Sequence, residues 1–342
     1  MKKTSKFIAI LLTLALIFSF AGCAKKEEAA PASDPAPAAD TNDDAAEEDA
    51  ADDAEETEWV WDGEKYDDLM ANMGKADVDL SNADGLLKSV LDKGVLVIGT
   101  SPDYPPAEFV DMETGEIKGN EILLAKYIAN SLGVELEVET MDFSAILAAA
   151  DTNKIDLAIS GFGYKEDRAE QYELSHGYQS SSAAAHHSID VLAKDLDKYN
   201  SLEDFNKEGL VIDAQANSLQ QMYVEDQLPN ANLQLVTSID QSILELLAGK
   251  IDAVALDSTT GKNYAEQSNG QIVSVFVEKG IEFDLSLYSD YAGNVCAVKK
   301  GETSMINAIN EIIDQLLAQD GLYSTWYYAS CDAAGVVPGE DE

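Results

Sequence analysis

Strand-like and helix-like patterns alternate twice along this chain, and that alternation constrains its fold more than any other feature. Val95-Leu96-Val97-Ile98 is an unbroken aliphatic run, followed by helical spacing over Asn120 to Leu132 with Gly133 placed to end the helix. Val134 to Val138 alternates with glutamate and reads as a strand, and Phe143 to Ala150 reads as a helix. Ile155 to Ser160 is a second buried strand, running into the turn Gly161-Phe162-Gly163. The grammar then repeats, with strands at Leu210 to Ile212, Leu233 to Val236 and Ile251 to Leu256, and helices over Ser218 to Glu225 and Ile239 to Leu247. Strands separated by single helices pair as parallel sheets with helices on both faces. Two such runs predict an α/β chain of two lobes. Beyond Asn294 to Val298, an amphipathic helix over Thr303 to Ala318 closes it.

The N-terminal 58 residues follow other rules. Lys2, Lys3 and Lys6 precede an apolar run from Phe7 to Phe20, too short to span a bilayer and flanked like an export signal. Residues 24–58 hold 14 acidic residues against Lys25 and Lys26 and no aromatic ring. Such a segment cannot bury enough apolar area to offset its ordering entropy, so it reads as a disordered acidic tether. Residues 59–92, with Trp59, Trp61, Tyr66 and a Leu86-Leu87-Val90-Leu91 pattern, read as an ordered lead-in.

The formal charge of -42 on 342 residues excludes a nucleic-acid binder, which needs a basic face against phosphate. The tether accounts for -12 of it, and -33 falls on residues 59–342. Of 22 basic residues, 21 are lysine and one is arginine, Arg168. Two cysteines in the body, Cys296 and Cys331, fit either one disulfide in an oxidising compartment or two separately buried thiols. Three histidines, His176, His186 and His187, cannot build a His/Cys metal centre, and no cofactor is expected. Enzyme signatures are absent: there is no G-x-S-x-G elbow, no G-x-x-x-x-G-K-[ST] loop, no G-x-G-x-x-G and no H-E-x-x-H.

Binding signatures are stronger. Arg168 follows the strand that ends at Ser160, and ligands of open α/β sheets sit at the carboxyl ends of strands. Its guanidinium is a rigid fork that holds a carboxylate through two parallel bonds. The alternative is a surface ion pair. Asp257 ends the matching strand of the second lobe, where it either holds an ammonium group or caps the next helix. Ser218, after Asn217, opens a helix whose free N–H groups suit an anion or a plain cap. Tyr104, Phe143 and Phe162 follow strands or sit in the turn, as core residues or as pocket walls.

At these residues the chain resembles the family-3 solute-binding proteins of amino-acid ABC transporters. The resemblance rests on Gly99-Thr100-Ser101-Pro102-Asp103-Tyr104-Pro105-Pro106, Gly115-Glu116-Ile117-Lys118-Gly119-Asn120, Lys154 to Gly161, Gly249 to Val254 and Gln319-Asp320-Gly321, in family order over about residues 93–330. It implies the type II periplasmic-binding fold, with lobe I at 93–189 and 287–332, lobe II at 190–286, and a tail at 333–342. It implies that Arg168 holds the ligand α-carboxylate, Asp257 the α-ammonium, and that Tyr104 packs over the ligand. It also implies that Ser160, Gly161 and Gly163 offer backbone or hydroxyl contacts and that Asn217 and Ser218 reach the ligand from lobe II. The stretch Phe20-Ala21-Gly22-Cys23 is similar to a lipobox, which implies a signal peptide over 1–23 and a lipid on Cys23, with the protein held at the outer face of a membrane. The implied partners are an amino acid and membrane permease subunits, with the receptor itself a monomer. The family often has Thr-Pro-Glu where Lys165-Glu166-Asp167 stands, and a hydroxyl residue in place of Gly163. An exported enzyme on the same fold, similar to cyclohexadienyl dehydratase, and a ligand-sensing domain are the alternatives. The acidic body favours a neutral or cationic amino acid over a dianion.

Overall fold

The computed structural model describes residues 62–178, 186–288, 293–336 and 338. The signal, the tether, Cys23, Trp59 and Trp61 lie outside the described residues.

Two five-stranded sheets share one plan. In the first, the order is Glu135–Thr140, Val95–Thr100, Leu157–Ala158, Ala297–Lys299 and Tyr172–Leu174. Its first three strands run parallel, and Ala297–Lys299 is antiparallel to both neighbours. The second has the order Asn232–Val236, Val211–Gln215, Ala253–Asp257, His187–Leu192 and Ile272–Ser274. Again three strands are parallel, and His187–Leu192 is antiparallel to both neighbours.

Alternation along the strands explains the double layer. Leu96 and Ile98 enter a core with the helices Asn120–Leu132 and Thr303–Leu317, whereas Val97 packs on the opposite side with Phe143 and Ile146. In the second sheet Ile212, Ala214, Ala253 and Ala255 face one core, and Val254 and Leu256 face another built on the helix Ile239–Leu247. Each sheet is thus covered on both sides, which removes its central strands from water.

Three boundaries differ from those read in the sequence. His187–Leu192 belongs to the second sheet, and Leu285 and Tyr288 pack on a core of that sheet, so lobe II takes in residues 186–288. The polar residues Ser188 and Asp190 interrupt this strand, which hides its start. The helix Leu322–Ala334 runs past the expected tail boundary at 333, and Val336 is buried against Tyr327 and Cys331. Within the lead-in, the helices Tyr66–Ala71 and Gly85–Lys93 place Tyr66, Leu69, Leu87 and Val90 in the first core.

The cysteines resolve as two thiols with no disulfide. Cys296 is buried among Leu157, Val298 and the helix Thr303–Leu317, while Cys331 packs with Tyr327 and Val336 in a separate cluster. Two different hydrophobic neighbourhoods, not proximity in a loop, account for these residues.

A small antiparallel sheet of Asp103–Tyr104, Glu108–Val110 and Ile117–Lys118 projects from lobe I toward the second lobe. Gly119 follows it with φ +138°, and a Cβ there would lie 2.0 Å from the Ala107 carbonyl oxygen, so only glycine lets the helix start at Asn120. Among the described residues no helix is long and apolar enough to cross a membrane.

Candidate functional site

The strand ends point into one cleft. Ser101 and Ser160 follow the ends of two lobe I strands; Gln215 and Asp257 end two lobe II strands; all but Ser101 line the cavity. This is where ligands of open α/β sheets bind. Eight of the nine residues expected at a ligand site line it: Tyr104, Phe143, Ser160, Gly161, Gly163, Arg168, Ser218 and Asp257. Asn217 does not line it, yet its backbone oxygen accepts from Arg168 Nη2 at 2.5 Å, across the lobes.

Arg168 is 5% exposed, in the short helix Glu166–Gln171. Its Nη1 donates to the Gly163 carbonyl at 2.6 Å, and its guanidinium stands 5.2 Å from the Phe162 ring and 6.0 Å from Phe143. Those two rings stack 4.7 Å apart, so they give the fork an apolar seat that strengthens its bonds. Burial and the Arg168 charge push the Lys165 ammonium below its ordinary value. Arg168 is buried and so does not stand at the surface, and the two acceptors named here are backbone carbonyls.

Of the two roles weighed for Asp257, the structure shows the capping one. Its Oδ1 accepts from the Thr260 N–H at 2.9 Å, capping the helix Ser258–Gln267. Its Oδ2 accepts from the Tyr104 hydroxyl at 2.6 Å, from the other lobe. Tyr104 in turn lies 3.2 Å from where a Cβ on Gly161 would stand, at φ +58°, which accounts for glycine there. Ser218 caps the helix Leu219–Gln227 through the Gln221 N–H at 3.0 Å.

Several residues of the site carry no strong signal in the sequence. Glu108, paired with Tyr104 across the small sheet, is 1% exposed; its Oε1 accepts from Ser160 Oγ at 2.8 Å and its Oε2 has no protein donor. Burial, and then the nearby Glu121, push its pKa well above the ordinary carboxylate value. Glu121 accepts from Tyr178, Asn294 and the Gly161 N–H at 2.6, 3.1 and 2.8 Å. Asp103 bridges the lobes through Gln215 and Ile239, and burial raises its pKa. With 64 acidic residues in the chain, these few buried ones look like all the rest. Among the described residues no group of His, Cys, Asp or Glu could hold a metal ion.

The chain is similar to known proteins. An arginine-binding protein of Corynebacterium glutamicum is 29% identical over 199 residues, which is 54% of this chain and 61% of that protein. The crystal structure of an amino-acid ABC transporter substrate-binding protein of Streptococcus pneumoniae, bound to L-arginine, is 29% identical. The alignment covers 75% of this chain and all of that one, with a TM-score of 0.64. An ancestral amino-acid-binding protein, a precursor of cyclohexadienyl dehydratase, is 26% identical, covering 71% of this chain and all of that one at TM-score 0.60. The profile of bacterial extracellular solute-binding proteins, family 3, matches residues 96–328, which takes in both sheets and every cleft residue named above. Two lobes of one plan, strand ends meeting at a cleft, and this match together make the chain a member of the bacterial extracellular solute-binding proteins, family 3.

Proposed function

We propose that the protein captures a free amino acid in the interlobe cleft and delivers it to the membrane permease of an ABC importer. The observation that carries this reading is the pairing of one buried guanidinium, Arg168, with one buried carboxylate, Asp257, facing the same cleft from opposite lobes. A zwitterion matches that pair: its carboxylate suits the Arg168 fork and its ammonium suits Asp257, with Tyr104 and Phe143 covering the aliphatic part. Relatives that bind arginine support a cationic ligand, and so do the carboxylates of Asp103 and Asp257 in the cleft wall. Isothermal titration with a panel of amino acids is expected to show saturable one-to-one binding, tightest for a cationic or neutral member and weakest for glutamate and aspartate. No binding across the panel would reject the reading.

One observation favours a second reading. Glu108 is a buried carboxyl in the cleft wall whose pKa burial raises, the kind of group a dehydratase needs as an acid. The solved neighbours described above are binding proteins, so we read the chain as a receptor and not an enzyme; release of phenylpyruvate from prephenate by the purified protein would reverse that choice.

The family is extracytoplasmic. For this chain we read residues 1–23 as a lipoprotein signal, Cys23 as the lipidated residue, and the acidic stretch after it as a spacer. Cys23→Ala is expected to move the protein from the membrane fraction to the soluble one. Retention in the membrane would reject the anchor.

A further inference from the structure

The geometry points to Asp103 as an interlobe latch: a carboxylate of lobe I that caps a helix of lobe II, setting the closure of the cleft without itself holding the ligand. This rests on the reading of the cleft as the binding site.

Asp103 sits in the small sheet of lobe I, where the Ser101 hydroxyl fixes its Oδ1 at 2.8 Å. That leaves Oδ2 turned to the other lobe. There it accepts from the Ile239 N–H at 3.0 Å and from Gln215 Nε2 at 3.0 Å. Ile239 is the first residue of the helix Ile239–Leu247, and a helix N-terminus carries N–H groups with no partner inside the helix. The helix's own cap residue, Ser238, makes no side-chain cap bond. The cap therefore comes from the opposite lobe, and only while the lobes are together. Parting them returns the Ile239 N–H, the Gln215 amide and the Asp103 carboxylate to water, which replaces each bond at a modest net loss. Asp103 is a positioning residue: protein donors occupy both of its oxygens, so it acts on the equilibrium between open and closed forms.

The latch works by presenting an acceptor in the right place. Burial raises the energy of a charge on Asp103, and Asp240 on the helix Ile239–Leu247 adds to it. A neutral oxygen in that position serves nearly as well, so the amide and alanine variants must part company.

The test uses the full chain with L-arginine as the probe, reading affinity by titration and exposure by amide hydrogen exchange at the start of the helix Ile239–Leu247. Asp103→Ala is expected to weaken binding about tenfold, equal to about 1.4 kcal/mol, mainly through faster dissociation, and to speed exchange at Ile239. Asp103→Asn is expected to stay within about threefold of the parent by both measures. A plain structural role would not separate the two variants in this way. Should Asp103→Ala fail to fold, Gln215→Leu, which removes one bond to the latch, is expected to weaken binding about threefold. Unchanged affinity and unchanged Ile239 exchange in Asp103→Ala would overturn the latch. If the parent binds no amino acid but Ile239 exchange still depends on Asp103, the latch stands and the reading of the cleft falls.

Discussion

Replacing Arg168 with alanine is expected to abolish amino-acid binding while leaving the protein folded. A carboxylate held by the fork exchanges its water for two charge-assisted bonds in a site floored by Phe143 and Phe162, each bond worth about 1.5–3 kcal/mol. Losing both predicts a fall in affinity of roughly a hundredfold to ten-thousandfold. Arg168→Lys is the sharper control. It keeps the charge but presents a point donor in place of a fork, so it is expected to recover only part of the loss. Folding survives because the acceptors left behind are two backbone oxygens, and that of Gly163 borders a cleft that water can enter. Titration calorimetry with the best amino acid of the panel, beside a melting curve for each variant, separates binding from stability. Unchanged affinity in Arg168→Ala would remove the central residue of the site.

The same arginine shows why part of this molecule is legible in its sequence. Arg168 is unique among 22 basic residues and follows a buried strand into a glycine turn, so chemistry and position coincide. Asp257 is legible for the same reason, ending a run of five buried residues. Strands such as Val95–Thr100 announce themselves because both faces are packed and the run from Val95 to Ile98 is uniformly apolar. Where a strand carries acids the signal fails: Asp190 and Asp213 sit mid-strand, and the edge of lobe II is misplaced by a few residues as a result. Glu108 and Glu121 fail differently. Nothing in one dimension distinguishes a carboxyl that meets a serine, a tyrosine and a backbone N–H in three dimensions from one that meets only water. The cysteines show the limit of pairing arithmetic, since two thiols in one lobe can belong to separate hydrophobic clusters.

Those mid-strand acids carry the second large prediction. Residues in register share a face, and Ser274, Asp190, Val254 and Asp213 form one row across four neighbouring strands of the second sheet. Val254 places that row on the side packed by Ile239, Ile243 and Tyr264. Asp190 is 1% exposed, and neither of its oxygens has a hydrogen-bond partner. Gly261 leaves just enough room above it, since a Cβ there would lie 2.6 Å from Asp190 Oδ1. Burial is the main cause that lifts the Asp190 pKa from 3.8 to about 8, and the charge on Asp257 adds to it. The folded protein therefore keeps a proton that the unfolded chain loses near pH 4, so over about pH 4–8 the folded state binds more protons and stability falls as pH rises. Near pH 7 this amounts to a cost on the order of 4 kcal/mol. Asp213, raised to about 6 chiefly by burial, adds a smaller slope at the acid end. Asp190→Asn keeps the shape, removes the ionisation, and brings an amide donor to a neighbourhood where Ser274 Oγ and Asn263 Oδ1 also have no partner. The variant is expected to melt about 10 °C higher at pH 8, to gain little at pH 5, and to lose most of the decline between them. Parallel melting profiles for the two proteins across that range would mean that Asp190 does not hold its proton in the fold.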